Sequence, residues 1–417
     1  MAMRILLLTH YWSPEVGAPQ KRWQWLARDL VERGHELAVL APAPHYPAGR
    51  LLDADPRYAP GAVARDASGA MIHRTAFRPY DAGLGGRGAD QAVAAGSALR
   101  LGMQRFRGRW RPDVVVGSVP GLPTLPAALA LGRALDRPVV AELRDAWPDI
   151  LGSAASWVGA PAPRSMRRRV IHAARRAVPP VVTGLEREAD AVVTTTDSFA
   201  TVLRERGMRR VVTVRNTARA DGWELPPVPA ARADGALHVL YLGTVGRAQG
   251  MVSAVRAAAA ATASGTPMVL RIVGDGAQIE AVRAEAARLG APVEVLSPVP
   301  MEQVAAHYAW ADTVLVSLQD WPAMSVTVPS KLYEILATGR HASGAVTGEA
   351  AAILREAGAG DVVAPQHPQA LAALWGELAR DRRRLAPTGG GRWLKEHVRE
   401  EDLVSRYESL LAEVAGA

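Results

Sequence analysis

The apolar pattern of this chain predicts strands and helices in alternation. The alternation is interrupted by one segment without periodicity and then resumes. Apolar runs typical of buried strands are each followed by a helical pattern, first from Arg4 onward and again from Leu237 onward. Residues 217–235 between them are rich in Pro, Ala and Asp and show no period, which is typical of a linker. Such alternation predicts parallel sheets covered by helices, here in two domains that face one another.

The pattern predicts domains at 1–218 and 236–397 with a linker at 219–235, and it leaves 398–417 as a C-terminal segment. The first domain opens with a strand, the loop 14–19, a helix and a second strand. That loop follows the carboxyl end of a strand, where doubly wound sheets bind ligands. No G-x-G-x-x-G motif stands there, so the usual NAD fingerprint is missing.

The amino-acid composition limits the kinds of site and partner that this protein can have. The chain has 417 residues and no cysteine, which excludes disulfides, thiolate metal sites and cysteine nucleophiles. A net charge of +8 favours an acidic partner, whether nucleic acid, an anionic membrane or a phosphorylated substrate. No apolar run approaches the length of a membrane-spanning helix, and we expect a cytoplasmic protein.

The segment 327–339 predicts a short helix that Pro329 or Ser330 opens and Gly339 ends. The spacing predicts a buried stripe and an opposite polar face. The stripe comprises Leu332, Ile335 and Leu336, and the polar face Lys331, Glu334 and Thr338. Lys331 and the first amides could hold phosphate, while Glu334 could accept hydrogen bonds from ribose. The alternative is a solvated ion pair worth a few tenths of a kcal/mol.

Other candidate residues follow predicted strands. Glycine-rich turns at 243–250 and 274–276 each lead from a strand into a helix, where backbone amides commonly meet phosphate. Arg144 and Asp145 follow the strand 139–143 and are candidates for the site, against the alternative of a local ion pair.

Two basic clusters, at 99–111 and 164–176, interleave arginines with apolar residues. Either could rest on an anionic membrane surface. The alternative is a solvated arginine face.

Taken in order, these segments resemble bacterial family 4 glycosyltransferases, which are retaining enzymes of the GT-B fold. The resemblance is greatest to the branch that assembles O-antigen, capsule and exopolysaccharide. The matching segments are Pro14–Pro19 with Arg22, Arg33–Glu36, Arg144–Pro148, Gly246–Gly250, Val273–Gly276 and Pro329–Lys331 with Glu334.

The resemblance implies a nucleotide-sugar donor held mainly by the C-terminal half and a hydroxyl acceptor held mainly by the N-terminal half. It also implies transfer in the cleft and a last helix, at about Glu400–Ala415 within 398–417, that crosses back to the N-terminal domain. We expect a UDP-sugar more than a GDP-sugar as the donor, and no cofactor. A cluster of carboxylates with metal spacing is absent from the sequence, which agrees with an enzyme that needs no metal. We assign donor binding to Gly17, Thr244, Gly246, Gly274, Asp275, Ser330 and Glu334. We assign catalysis to Asp145, Arg247 and Lys331, and the acceptor side to His10 and Arg144.

The chain departs from the family at three positions. Of two glutamates eight residues apart, the first falls on Val326, and the usual Arg and Lys of the first C-terminal loop are Thr244 and Gln249. Arg247 and Lys331 could hold the diphosphate instead.

Three alternatives remain open. The acceptor could be a polyprenyl-linked glycan or a soluble natural product, and the departures allow a non-catalytic protein that binds nucleotide sugars. A nucleic-acid-binding protein is disfavoured, because the basic clusters match no known module and aromatic residues make up only 5% of the chain.

Overall fold

A computed structural model describes residues 2–46, 49–81, 84–152, 166–218 and 223–416. The chain divides into two compact units, which we call unit 1 and unit 2. Unit 1 comprises Met1–Arg215 with Glu400–Ala417, and unit 2 comprises Asn216–Arg399. In this division the predicted linker 219–235 belongs to unit 2, and its residues 219–222 lie outside the described part.

Among the described residues, unit 1 has an eight-stranded sheet in the order β3-β4-β2-β1-β5-β6-β7-β8, parallel except for the pair β3–β4. Its strands are β1 (Arg4–Thr9), β2 (Glu36–Pro42), β3 (Val63–Arg65), β4 (Met71–Thr75), β5 (Val114–Val119), β6 (Val139–Leu143), β7 (Ala191–Thr194) and β8 (Val211–Thr213). Its first helices are α1 (Ala18–Glu32), α2 (Leu84–Arg105), α3 (Thr124–Leu135), α4 (Met166–Arg187) and α5 (Asp197–Glu205).

In its described residues, unit 2 has a six-stranded parallel sheet in the order β11-β10-β9-β12-β13-β14. Its strands are β9 (Leu237–Leu242), β10 (Met268–Val273), β11 (Val293–Leu296), β12 (Thr313–Ser317), β13 (His341–Ala345) and β14 (Gly360–Val363). Its helices are α6 (Met251–Ala263), α7 (Ile279–Leu289), α8 (Met301–Trp310), α9 (Pro322–Ser325), α10 (Ser330–Thr338), α11 (Gly348–Glu356), α12 (Pro368–Arg380) and α13 (Gly390–His397). The last helix, α14 (Glu400–Ala415), belongs to unit 1.

Both central strands of unit 1 are apolar along almost their whole length because helices cover both faces of the sheet. In β1, Ile5, Leu6 and Leu7 are fully buried, and in β5 so are Val114 and Val115. Parallel strands place all their carboxyl ends at one edge. Loops that are far apart in sequence therefore meet there.

The structure confirms the predicted fold class of two Rossmann-like parallel-sheet domains, and the last helix returns to unit 1 as predicted. The helix at 327–339 also forms: α10 begins after Pro329 and ends at Gly339, whose φ is +65°. One detail of this helix was wrong. Thr338 is only 9% exposed, because its hydroxyl donates to the carbonyl of Ile335 and the side chain turns inward.

The turn at 33–36 anchors α14. Arg33 Nη1 lies 2.7 Å from Glu408 Oε2, and His35 Nε2 lies 3.0 Å from Glu408 Oε1. Burial would raise the pKa of the Glu408 carboxyl, but these two partners outweigh it and lower that pKa. Deeper in, the fully buried ring of Tyr407 packs edge-on to Trp23, with centroids 5.9 Å apart. The last helix is therefore held by both charge and packing.

Arginines bind the segment 226–232 to the rest of unit 2, although this segment contains no helix or strand. Asp312, which is fully buried, accepts from Arg232 Nε at 2.8 Å and from Arg382 Nη2 at 2.7 Å. Arg340 donates to the carbonyl of Pro226 at 2.7 Å. A sequence rich in proline and alanine and without periodicity is thus fixed in place here.

The first basic cluster differs from a membrane-resting segment in one respect. Its apolar members Leu101 and Phe106 are buried in unit 1, whereas its arginines Arg100, Arg107, Arg109 and Arg111 are exposed. For the second cluster, residues 164–165 and the side chains of 166–175 lie outside the described part. None of the described helices is long and apolar enough to cross a membrane.

Glu186, at the end of α4, should make the stability of the protein depend on pH. It is fully buried, and neither carboxylate oxygen has a hydrogen-bond partner within the described chain. Burial raises the pKa of this carboxyl to about 8. The unfolded state then binds fewer protons than the folded state between about pH 4.5 and 8, so stability should fall across that range.

We expect Glu186→Gln to flatten this fall and to stabilise the protein at pH 8 by about 3 kcal/mol. Urea unfolding at pH 5 and pH 8 measures both effects. Glu188→Gln is the matched control, since Glu188 is exposed and paired with Arg133. Equal pH dependence in the wild type and Glu186→Gln would contradict the assignment.

Candidate functional site

Two loops of unit 2 touch through their backbones at the carboxyl ends of β9 and β10. Gly243 donates to the carbonyl of Val273 at 3.0 Å, and Val245 donates to the carbonyl of Asp275 at 2.9 Å. A Cβ on Gly274 would lie 1.9 Å from Gly243 O, and φ at Gly274 is +156°. Only glycine satisfies both conditions. The predicted donor loops are therefore one paired structure.

Helix α10 brings its polar face to these loops. Lys331 Nζ lies 2.6 Å from Glu334 Oε1, and a Cβ on Gly243 would lie 3.9 Å from Lys331 Cγ. The buried hydroxyl of Tyr308 on α8 donates to the same Glu334 oxygen at 2.8 Å. The stripe behind them is buried as predicted, with Leu332 at 0% exposure. An ammonium, a carboxylate and a helix N-terminus thus share one location.

The other predicted donor residues of unit 2 lie on the same edge. Gly246 precedes a 3₁₀ turn that contains Arg247, and Arg247 is half-buried. The backbone oxygen of Thr244 accepts from Tyr241 at 2.6 Å, and the exposed Asp275 carboxylate accepts from the amide of Gly276 at 2.7 Å. Ser330 is the first residue of α10, where free amides favour an anion.

The predicted residues of unit 1 also lie on one sheet edge. His10 follows β1, and Gly17 is the N-cap of α1, which begins beyond the same strand. Arg144 and Asp145 follow β6. Burial lowers the pKa of Arg144 and raises that of Asp145, since each charged form loses water, although their mutual attraction opposes both shifts. Among the described residues, no hydrogen bond or ion pair joins His10 to Arg144 or Asp145.

His10 belongs to a buried polar cluster with His45 and Asp90. Asp90 Oδ2 lies 2.8 Å from His45 Nε2 and 3.2 Å from His10 Nε2. His45 Nδ1 lies 2.7 Å from the carbonyl of Ala43. Burial disfavours the charged His45, but the contacts with Asp90 and Ala43 outweigh it and raise its pKa. These three side chains, with ligand atoms within 4.8 Å of one another, could hold a metal ion.

Two buried glutamates organise this edge. Glu15 accepts from the amides of His45 and Tyr46 at 2.8 and 2.9 Å, which ties the loop after β1 to the loop after β2. Glu142 of β6 is fully buried and accepts from Arg22 Nε at 2.9 Å and Trp23 Nε1 at 2.9 Å. Buried carboxylates therefore hold strand ends of unit 1: Glu15 does so through backbone amides, and Glu142 through Arg22 and Trp23.

Sequence reasoning missed Tyr308, Glu142, Asp90 and the clamping role of Glu15. Glu142 carried a usable signal, because a carboxylate inside the apolar strand 139–143 needs a partner. Asp90 and Tyr308 carried none. Asp90 lies on α2 and Tyr308 on α8, and both helices are far in sequence from the residues that these side chains contact.

Comparisons with known proteins assign the class. Residues 17–217 match the glycosyl transferase 4-like domain, and residues 236–381 match the glycosyl transferases group 1 domain. With two Rossmann-like sheets, these matches define a glycosyltransferase of the GT-B fold. The chain accordingly belongs to the glycosyltransferases that pair these two domains.

Individual relatives agree with this class. The chain is 29% identical over 365 residues to the UDP-N-acetylglucosamine–N-acetylmuramyl-(pentapeptide) pyrophosphoryl-undecaprenol N-acetylglucosamine transferase of Halorhodospira halophila, covering 85% of this chain and 94% of that protein. Among solved structures it resembles sucrose-phosphate synthase of Thermosynechococcus elongatus, with TM-score 0.71, 14% identity and 99% of each chain covered. It also resembles Anabaena HepE in complex with UDP and glucose, with TM-score 0.66, 14% identity and coverage of 98% and 99%. These structures share the fold.

Gly274→Ala should disrupt the paired loops. We expect a loss of about 3 kcal/mol or more, because a methyl group would meet Gly243 O and the φ of +156° strains any L-residue. Gly290→Ala is the control, since Gly290 also has a positive φ of +58° but open space around it, and should cost about 1 kcal/mol. Urea unfolding compares them. Equal losses would show that the close approach is absent in solution.

Proposed function

We propose that this protein is a retaining glycosyltransferase of family 4, in the branch that builds bacterial surface glycans. It transfers a sugar from a nucleotide diphosphate donor, UDP-linked more than GDP-linked, to a hydroxyl acceptor carried on a polyprenyl lipid. The observation that carries the proposal is the Lys331–Glu334 pair at the start of α10, beside the paired glycine loops.

The donor assignment rests on chemistry that suits a nucleoside diphosphate. Amides at the start of α10, the ammonium of Lys331 and the guanidinium of Arg247 supply positive charge for two phosphates. Glu334 supplies a carboxylate for ribose hydroxyls. HepE was solved with UDP and glucose and also with UDP-glucose, and a trehalose-6-phosphate relative from E. coli was solved with UDP-2-fluoro glucose.

In the proposed reaction the bond between sugar C1 and the diphosphate oxygen breaks, and a bond from the acceptor oxygen to C1 forms on the same face. The acceptor proton passes to the departing phosphate, so no strong protein base is required. Lys331, Arg247 and the amides stabilise the charge that grows on the leaving group. Asp145 contacts the sugar or the acceptor, with Arg144 and His10 on the acceptor side, and the reaction needs no metal.

The lipid-linked acceptor is supported by two observations. The relative from Halorhodospira halophila is named for an undecaprenol-linked acceptor. Exposed arginines such as Arg100 and Arg107 suit an anionic lipid surface, although the buried Leu101 and Phe106 leave the attraction mainly electrostatic. The protein would then work at the inner face of the plasma membrane.

A second candidate is a non-catalytic protein that binds nucleotide sugars. Val326, Thr244 and Gln249 favour it, because each replaces a charged residue of the wider family. Detectable donor hydrolysis or sugar transfer that is lost in Glu334→Ala would exclude it.

The donor site predicts selective stabilisation by one nucleoside diphosphate. Thermal shift with UDP, GDP, TDP and ADP should show one ligand that raises stability by about 2.7 kcal/mol at 100 times its Kd. Lys331→Ala and Glu334→Ala should lose that shift.

Lys395→Ala and Glu396→Ala are matched controls, because both residues are exposed on α13 of the same unit. They should keep the wild-type response. If no diphosphate shifts the wild type, the donor-site assignment fails. If all four variants keep the shift, the nucleotide binds elsewhere.

Membrane association predicts that the protein floats with anionic vesicles at low salt and detaches as ionic strength rises. Arg100→Glu with Arg107→Glu should reduce the floated fraction several-fold. Arg383→Glu, at a 91% exposed arginine of unit 2, should leave it unchanged. Absence of flotation would remove the membrane part and leave the transferase assignment intact.

A further inference from the structure

We propose that Tyr308 is a positioning residue for the donor site. It fixes which oxygen of Glu334 meets the ribose, and it holds that arrangement when Lys331 turns toward the diphosphate. The proposal rests on the proposed function, because it assumes that Glu334 receives a ribose.

The geometry around Glu334 is specific. Two donors reach the same oxygen, Oε1: the Tyr308 hydroxyl at 2.8 Å and Lys331 Nζ at 2.6 Å. Lys331 Nζ also lies 5.9 Å from the centroid of the Tyr308 ring. With Oε1 engaged twice, an incoming pair of ribose hydroxyls is met by Oε2. Fixing one oxygen therefore orients the other.

Tyr308 itself is held from three directions. Its side chain is fully buried, its backbone oxygen accepts from Arg340 Nε at 2.9 Å, and Trp223 packs edge-on to its ring with centroids 5.1 Å apart. Burial first, and then the charge of Glu334, raise the pKa of the phenol. The hydroxyl is therefore protonated at neutral pH, where it can donate to Glu334.

The two donors to Oε1 differ in what else they can do. Lys331 is a flexible point charge at a helix N-terminus, and an arriving diphosphate competes with Glu334 for its ammonium. The Tyr308 hydroxyl is neutral and rigidly mounted, so a phosphate does not draw it away. When Lys331 turns to the phosphate, Tyr308 keeps Glu334 aimed at the ribose. The site is preorganised through a residue that touches no ligand.

The test compares nucleotides with and without one ribose hydroxyl. The Kd of the ribonucleoside diphosphate that binds best among UDP, GDP and ADP is measured by calorimetry, together with the Kd of its 2′-deoxy form. In the wild type we expect the deoxy form to bind about tenfold more weakly, as befits a lost hydrogen bond to a charged group. In Tyr308→Phe this ratio should fall to about threefold or less.

Tyr407→Phe is the control, a change at a fully buried tyrosine in unit 1. It should keep the wild-type ratio. Trp223→Leu offers a second route, since it removes the ring that packs edge-on to Tyr308, and should also lower the ratio. Urea unfolding confirms that each variant is folded.

The proposal would be overturned if both Tyr308→Phe and Trp223→Leu bound the two nucleotides more weakly but kept the wild-type ratio of their Kd values. A purely structural role for Tyr308 would weaken the binding of both nucleotides equally. Failure of the wild type to bind any nucleoside diphosphate is a different result and refutes the proposed function.

Discussion

The close passage of Gly274 beneath the carbonyl of Gly243 is the contact on which the candidate donor site depends. It continues the pairing of β9 and β10 past the ends of the strands, so the two loops form one surface. Helix α10 then needs only to reach that surface from the neighbouring strand β12. The absence of a side chain at Gly274 thereby lets the two loops pair, and α10 adds Lys331 and Glu334 beside them.

In unit 1, the loops at the strand ends are held together by buried carboxylates instead of by close backbone approach. Its strand ends are joined by buried carboxylates: Glu15 joins the loops after β1 and β2, and Glu142 joins β6 to α1 through Arg22. Removing Arg22 would leave the fully buried Glu142 without its guanidinium partner, which is costly. The two sheets share a fold, yet different interactions hold the loops at their edges: close backbone contact in unit 2 and buried carboxylates in unit 1.

Much of this arrangement could be predicted from the sequence, because buried parallel strands and capped helices have local signatures. The strand Met268–Val273 and the helix ending at Gly339 are examples where apolar period and glycine decide the outcome. The antiparallel strand Val63–Arg65 was missed, since it is short and mostly exposed. Tyr308 and Asp90 could not be predicted, because only tertiary packing brings these helical residues to the site. Roles assigned to Asp145 and His10 stay predictions.

Arginine supplies nearly all the positive charge of this chain, and lysine occurs only at positions 21, 331 and 395. A side-chain amine is therefore a rare chemical group here, and one of the three stands at the candidate donor site. Acylation of Lys331 would turn its ammonium into a neutral amide that can neither pair with Glu334 nor attract phosphate. An amine-reactive probe would report on this site against a background of two other side chains, and a bound nucleotide would shield it.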